Sequence, residues 1–230
     1  METKFNCSTF IGLLMIQSVA LICVAQDYDF FYLVQQWPGS YSGTQHSRCY
    51  PTTGKPAQSF TISGFWPSYN NGSIPTYCDP NNHFNETKLS DLISYLQTDW
   101  PSLACPSSNS TQLWGEEWEK HGTCSESGFD QHSYFLEALT VKDSFVDILQ
   151  MLQVDGIQPD GRVYNLNSLI YNLKSAFYGY NVGIECNEDE SGNSQFYQVY
   201  SCIDRTGISL IDCPVLPDAN CSDSVVFPSF

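Results

Sequence analysis

An α+β domain is expected from this sequence, on three observations. Aromatic and β-branched runs bounded by Pro and Gly stand near the start, segments of helical spacing fill the middle, and short strand-like runs return before the end. Phe30 to Trp37 and Phe60 to Trp66 read as buried strands, and both end in Trp-Pro. Glu86 to Trp100 places Leu89, Leu92, Ile93 and Leu96 at helical spacing, and Pro101 stops it. Trp114 to Gly122, Gln131 to Leu139, Asp143 to Leu152 and Leu166 to Phe177 repeat that periodicity, the first ending at Gly122 as a C-cap would. Val182 to Cys186, Phe196 to Cys202 and Ile208 to Cys213 are the late strands, separated by turns such as Glu190-Ser191-Gly192-Asn193.

Ahead of these elements, residues 1–25 contain Lys4, an apolar run from Phe10 to Val24, and then Ala25 before Gln26 and Asp27, the pattern of a signal peptide. That run is short for a membrane span, and nothing later approaches the ~20 apolar residues a spanning helix needs. No linker composition, repeat or long charge run divides residues 26–230, so one domain is expected there. The reading implies a chain in the secretory pathway, bound for the cell exterior or a vacuole, off the membrane, with a monomer expected.

Cys7 and Cys23 fall within the signal, leaving Cys49, Cys78, Cys105, Cys124, Cys186, Cys202, Cys213 and Cys221. An even count in an exported chain implies disulfides, with 105 pairings open. A zinc site is the competing use, but no two cysteines have C-x-x-C spacing and no histidine lies near a cysteine pair, so no metal or cofactor is expected. Four N-x-S/T sequons, at Asn71, Asn85, Asn109 and Asn220, are glycosylation candidates. The formal net charge of −16 opposes binding nucleic acid by phosphate neutralisation, which needs clustered Lys and Arg. It does not exclude an enzyme that holds a few nucleotides at a local cationic site.

The chemistry concentrates in Leu113 to Cys124, LWGEEWEKHGTC, where Glu117, Lys120 and His121 stand at i, i+3 and i+4 on one helical face. Such a trio suits phosphoryl chemistry, with cations holding phosphate and the imidazole moving a proton. The plainer alternative is a solvated charged face with Glu116 and Lys120 as an i, i+4 pair.

This segment, together with FTISGFWP at Phe60 to Pro67, resembles the two active-site segments of the ribonuclease T2 family. The resemblance extends through YLVQQWPGSY, CYPTTGKP, WPSLACPS and QFYQVYSCID, and is to plant S-like ribonucleases. It implies a mixed, mainly antiparallel sheet flanked by helices, and metal-free transphosphorylation in which a 2′-hydroxyl attacks phosphorus to give a 2′,3′-cyclic phosphate. It also implies the disulfides Cys49–Cys105, Cys78–Cys124, Cys186–Cys221 and Cys202–Cys213.

In the family the second segment usually reads HEWxKHG. The match implies that His121 is the general base, while Glu117 and Lys120 stabilise the charged transition state. The first segment usually reads IHGLWP, its His being the acid for the leaving 5′-oxygen, yet Ser63 stands there. Glu116 likewise stands where the family has a phosphate-contacting His. Around the implied base pocket Gln36 and Trp37 are retained and Leu113 replaces a common aromatic; core packing is the other reading of Trp37. A third departure is Tyr41-Ser42 and Arg48-Cys49, where relatives carry an extra cysteine pair, which implies one bridge lost as a unit. His46, His83 and His132 remain as substitutes for the absent acid, His132 reading as a surface or capping residue.

The expectation is a secreted ribonuclease-like protein with weak or residual RNA interaction and impaired or absent catalysis, serving storage or defence. A weak acid endoribonuclease and a recognition module of the self-incompatibility kind are the alternatives.

Overall fold

The computed structural model describes residues 28–42, 55–104, 109–144 and 147–229. The expected signal segment, His46, Cys49 and Cys105 lie outside the described residues.

Seven strands form one mixed sheet: β1 (Phe30–Gln36), β2 (Thr61–Ser68), β3 (Val163–Asn165), β4 (Gly183–Glu188), β5 (Ser194–Asp204), β6 (Leu210–Ile211) and β7 (Ser224–Val226). The main path runs β2-β1-β5-β7-β3, with β4 and β6 also paired to β5. All pairings are antiparallel except β5 with β7. Helices α1 (Pro38–Ser42), α2 (Ile93–Asp99), α3 (Ser110–Lys120), α4 (Gln131–Ser144), α5 (Ile148–Val154) and α6 (Leu166–Ala176) complete the α+β arrangement.

The helix expected over Glu86 to Trp100 is divided. Asn85 caps a 3₁₀ turn at Glu86–Leu89 by accepting from the Thr87 N–H, and α2 begins only at Ile93. Leu89, Leu92 and Leu96 are buried all the same, so the apolar spacing reports the burial but not the break. Gly122 does not end α3 as a free C-cap; it opens a second 3₁₀ turn, Gly122–Ser125, with His121 between the two elements.

Alternation along the strands divides the apolar residues between two clusters. The larger, including Phe31, Leu33, Ile62, Phe65, Val199 and Ile203, takes in Trp114 and Trp118 of α3 and Tyr134 and Phe135 of α4. The smaller holds Phe30, Tyr32, Val34, Tyr200 and Cys202, with Trp66 packed against it. Disulfides Cys78–Cys124, Cys186–Cys221 and Cys202–Cys213 form as the resemblance implied, the first tying the loop after β2 to the 3₁₀ turn that follows α3. The implied fourth, Cys49–Cys105, falls outside the described residues.

Candidate active site

Strand β2 is an edge strand, which allows it to contain Pro67 without losing a ladder bond on its free side. Its register against β1 slips once: Val34 lies opposite Gly64 and Gln35 opposite Ile62, which leaves Ser63 as the extra residue of a bulge. The bulge has a geometric consequence. Ile62 and Phe65, three apart, both enter the large core, while Ser63 is freed from the pleat and re-aimed. Residue 63 is therefore half-buried, and its Oγ accepts from Gln198 Nε2 of β5 at 2.9 Å. Gln198 continues a polar chain, its Oε1 lying 3.1 Å from the Tyr200 hydroxyl, which donates to Glu185 Oε2 at 2.5 Å.

Helix α3 brings the second segment to the same strand. Glu117 Oε1 accepts from the backbone N–H of Phe65 at 3.1 Å, so a carboxylate from the helix occupies the open edge of β2. The Tyr134 hydroxyl of α4 lies 3.1 Å from the same oxygen and donates to the Phe65 carbonyl at 2.5 Å. Glu117 is buried, and burial raises its pKa to about 7 against the lowering effect of the Phe65 N–H, Tyr134, Trp66 and Lys120.

His121 follows at the end of α3, 6% exposed, its ring 5.2 Å from that of Trp66. Trp66 lies directly over Gly64, where a Cβ would stand 2.1 Å from the indole nitrogen, so Gly64 is what lets the two rings meet. Burial and the nearby Lys120 ammonium lower the His121 pKa to about 4, a backbone hydrogen bond at Pro75 opposing them. The imidazole is thus neutral, a base rather than an acid, down to acidic pH.

The expected trio is not one uniform face. Glu117 and His121 are buried, while Lys120 is exposed and forms no ion pair among the described residues. Glu116 is exposed as well. It does not pair with Lys120, because its Oε1 accepts from Gln112 Nε2 one turn back at 2.9 Å.

Trp37 is fully buried against Phe60 and Phe227, and its indole N–H donates to the Pro228 carbonyl, as the core-packing reading of this residue has it. Gln36 points to the other side of β1 and accepts from the Tyr197 hydroxyl at 3.2 Å, and Leu113 packs half-buried against the large core. His83 is held by Glu119 and His132 by Asp91, so both are engaged away from Ser63. The sequon asparagines 71, 85, 109 and 220 are all exposed. No cluster of His, Cys, Asp and Glu among the described residues has the arrangement of a metal site.

Sequence reasoning missed Gln198 and Tyr134. Both sit in runs that read simply as strand and helix, and only the sheet pairing and the α4 packing bring them to Ser63 and Glu117. Replacing Tyr134 by Phe is expected to cost about 1–3 kcal/mol, because the Phe65 carbonyl and Glu117 each lose a partner in a dry site. It also removes a hydrogen bond that lowers the Glu117 pKa, so that pKa should rise further. Denaturant unfolding and a carboxyl titration check the two effects.

Comparison with known proteins places this geometry. The sequence model of the Ribonuclease T2 family matches residues 28–213. The extracellular ribonuclease LE of Solanum lycopersicum is 52% identical over 225 residues, covering 97% of each chain. The crystal structure of RNase NT in complex with 5′-AMP superposes with a TM-score of 0.82 at 46% identity, covering 89% of this chain and all of that one. More distantly, a ribonuclease-like storage protein of Panax ginseng is 29% identical over 186 residues, covering 80% of this chain and 74% of its own.

Proposed function

The chain belongs to the ribonuclease T2 family, and from that premise we propose that it is a secreted relative of the plant ribonucleases that has kept the RNA-cleaving scaffold and lost most of the catalysis. One observation carries the reading: the side chain re-aimed by the β2 bulge is a serine hydroxyl, held by Gln198, where the family has an imidazole.

Cleavage by transphosphorylation asks two proton transfers of the protein. The 2′-hydroxyl loses its proton as its oxygen bonds to phosphorus, and the 5′-oxygen gains one as its bond to phosphorus breaks. His121, neutral above about pH 4, is poised for the first transfer. Glu117 and the Lys120 ammonium stand beside it to stabilise charge on phosphorus. For the second transfer Ser63 is inadequate, since a hydroxyl of very high pKa releases no proton near neutral pH. The 5′-alkoxide then takes its proton from water, and losing a positioned acid costs about 10²–10⁴ in rate. Glu116 adds a negative charge one residue from Glu117, with no cation paired to it among the described residues.

A storage or defence role outside the cell or in a vacuole fits a disulfide-tied scaffold without useful turnover, and the ginseng relative bears such a name. The Glu117 and His121 pKa values favour a second reading, a weak endoribonuclease of acidic compartments. Near pH 5 the base is free, and a protonated Glu117 presents no negative charge to RNA.

The test is the release of 2′,3′-cyclic phosphate ends from RNA by the purified mature chain between pH 4 and 8, beside His121→Ala. Release at background, unchanged by the substitution, is the expected result. Release that His121→Ala abolishes makes the chain an enzyme and favours the second reading.

A further inference from the structure

Gln35 faces away from the site just described. Side chains alternate along β1, so Gln36 shares the face of Tyr32 and Val34 while Gln35 shares that of Phe31 and Leu33, beneath the helices. It is 95% buried, and its amide has no hydrogen-bond partner among the described residues. The amide opens into a cavity of about 340 Å³, within the lower range of small-molecule sites.

The cavity has a definite polarity. Phe60 and Ile148, both almost fully buried, contribute a small apolar patch to its lining. Ser59, Asp143 and Asp147 stand at its polar side, and the first two make no side-chain hydrogen bond among the described residues. Asp147 uses one oxygen on the Gln150 N–H as the N-cap of α5. Lys142, the cation here, is bound to Asp99 at 2.5 Å, so it does not neutralise these two carboxylates. The lining therefore offers acceptors and negative charge beside a small apolar patch, and an anionic ligand is opposed.

We propose that this cavity is a binding site for a protonated aliphatic amine, with the ammonium donating to Gln35 Oε1 and the two carboxylates and the adjoining methylenes touching the small patch of Phe60 and Ile148. The site is distinct from the RNA-related one: Gln35 points to the helix-covered face of β1, whereas Ser63, Gln198 and Trp66 lie with the smaller cluster on the other.

Spermidine is the probe, with hexanoate as an anion of similar length and isothermal titration calorimetry on the intact chain as the readout. Gln35→Leu leaves the net charge unchanged, so it separates a built site from general attraction of a cation to a chain of charge −16. The proposal expects Gln35→Leu to weaken spermidine binding at least tenfold, Asp143→Asn severalfold, and hexanoate not to bind. Unchanged affinity in folded Gln35→Leu, or equal binding of hexanoate, overturns it. If Gln35→Leu does not fold, the Gln35 side-chain amide resonance of the wild type decides: it shifts with spermidine if the site is real and stays still if it is not.

Discussion

Restoring both histidines, as Ser63→His with Glu116→His, should raise RNA cleavage by about 10²–10⁴ over the wild-type chain, the range a positioned general acid contributes. The fold is prepared for both changes. Residue 63 is the unpaired residue of a bulge, half-buried and outside the large core, so an imidazole there does not displace packed side chains. Residue 116 is exposed and among the described residues its side chain is bonded only to Gln112, so its replacement breaks one surface contact. The Phe65–Glu117 bond and the Trp66–His121 contact already hold the two segments together, leaving the base and the charge-stabilising groups in place. The rate of the double variant should follow a bell. It rises with pH as His121 loses its proton near 4, and falls as the new histidine, of ordinary pKa ~6.5, loses its own. Initial rates on a defined oligoribonucleotide between pH 3.5 and 8 check both size and shape. Adding His121→Ala to the double variant should remove the gain.

The second large effect is on stability, and the wild type conceals it. Glu117 holds its proton more tightly folded than unfolded, so its contribution is fully present below about pH 4.5 and is lost as pH rises through about 7. His121 behaves in the opposite sense: its contribution is fully present above about 6.5 and is lost as pH falls through about 4. Between 4.5 and 6.5 the two slopes oppose one another, and the wild-type unfolding free energy should be nearly flat there. Glu117→Gln removes one side of the balance, and stability should then climb by on the order of 3 kcal/mol from pH 4 to 6.5. His121→Ala removes the other, and stability should fall by a similar amount from 4.5 to 7. Each substitution also shifts stability by a constant, but only the slope is diagnostic. Asp91, Asp130 and Asp189, whose pKa values are lowered by hydrogen bonds, act below this window. Urea unfolding at half-unit steps of pH provides the measurement.

Much of this architecture was legible in the sequence because burial leaves a periodic trace. The strands at Phe30 and Phe60, the helices from Trp114 onward and the long strand through Phe196 all carry aromatic or aliphatic residues at the spacing their element requires. The short pieces were not legible. β3 and β7 have three residues each and exist by pairing with one another across about 60 positions, a contact no local pattern records. The break between Glu86 and Ile93 depends on the Asn85 side chain capping a 3₁₀ turn inside an otherwise continuous apolar stripe.

At the site, the residue types at 63, 116, 117, 120 and 121 were readable from the chain, but their environments were not. That Glu117 lies on the open edge of β2 and that His121 is buried under Trp66 are long-range facts, and they set the pKa values on which the chemistry turns. The bulge at Ser63 was equally hidden, since it arises from the register of β2 against β1 rather than from ISGFWP itself. Trp37 illustrates the converse. Its place in a family segment left a base pocket and core packing both open, and only the packing of its indole against Phe60 and Phe227 shows how deeply it sits in the core.

The most direct test of lost catalysis is the initial rate of RNA cleavage by the wild-type chain beside that of the tomato extracellular ribonuclease, on the same oligoribonucleotide near pH 5. A rate lower by about 10² or more is predicted from the absent acid at position 63; a rate within a few-fold of that relative's contradicts the account.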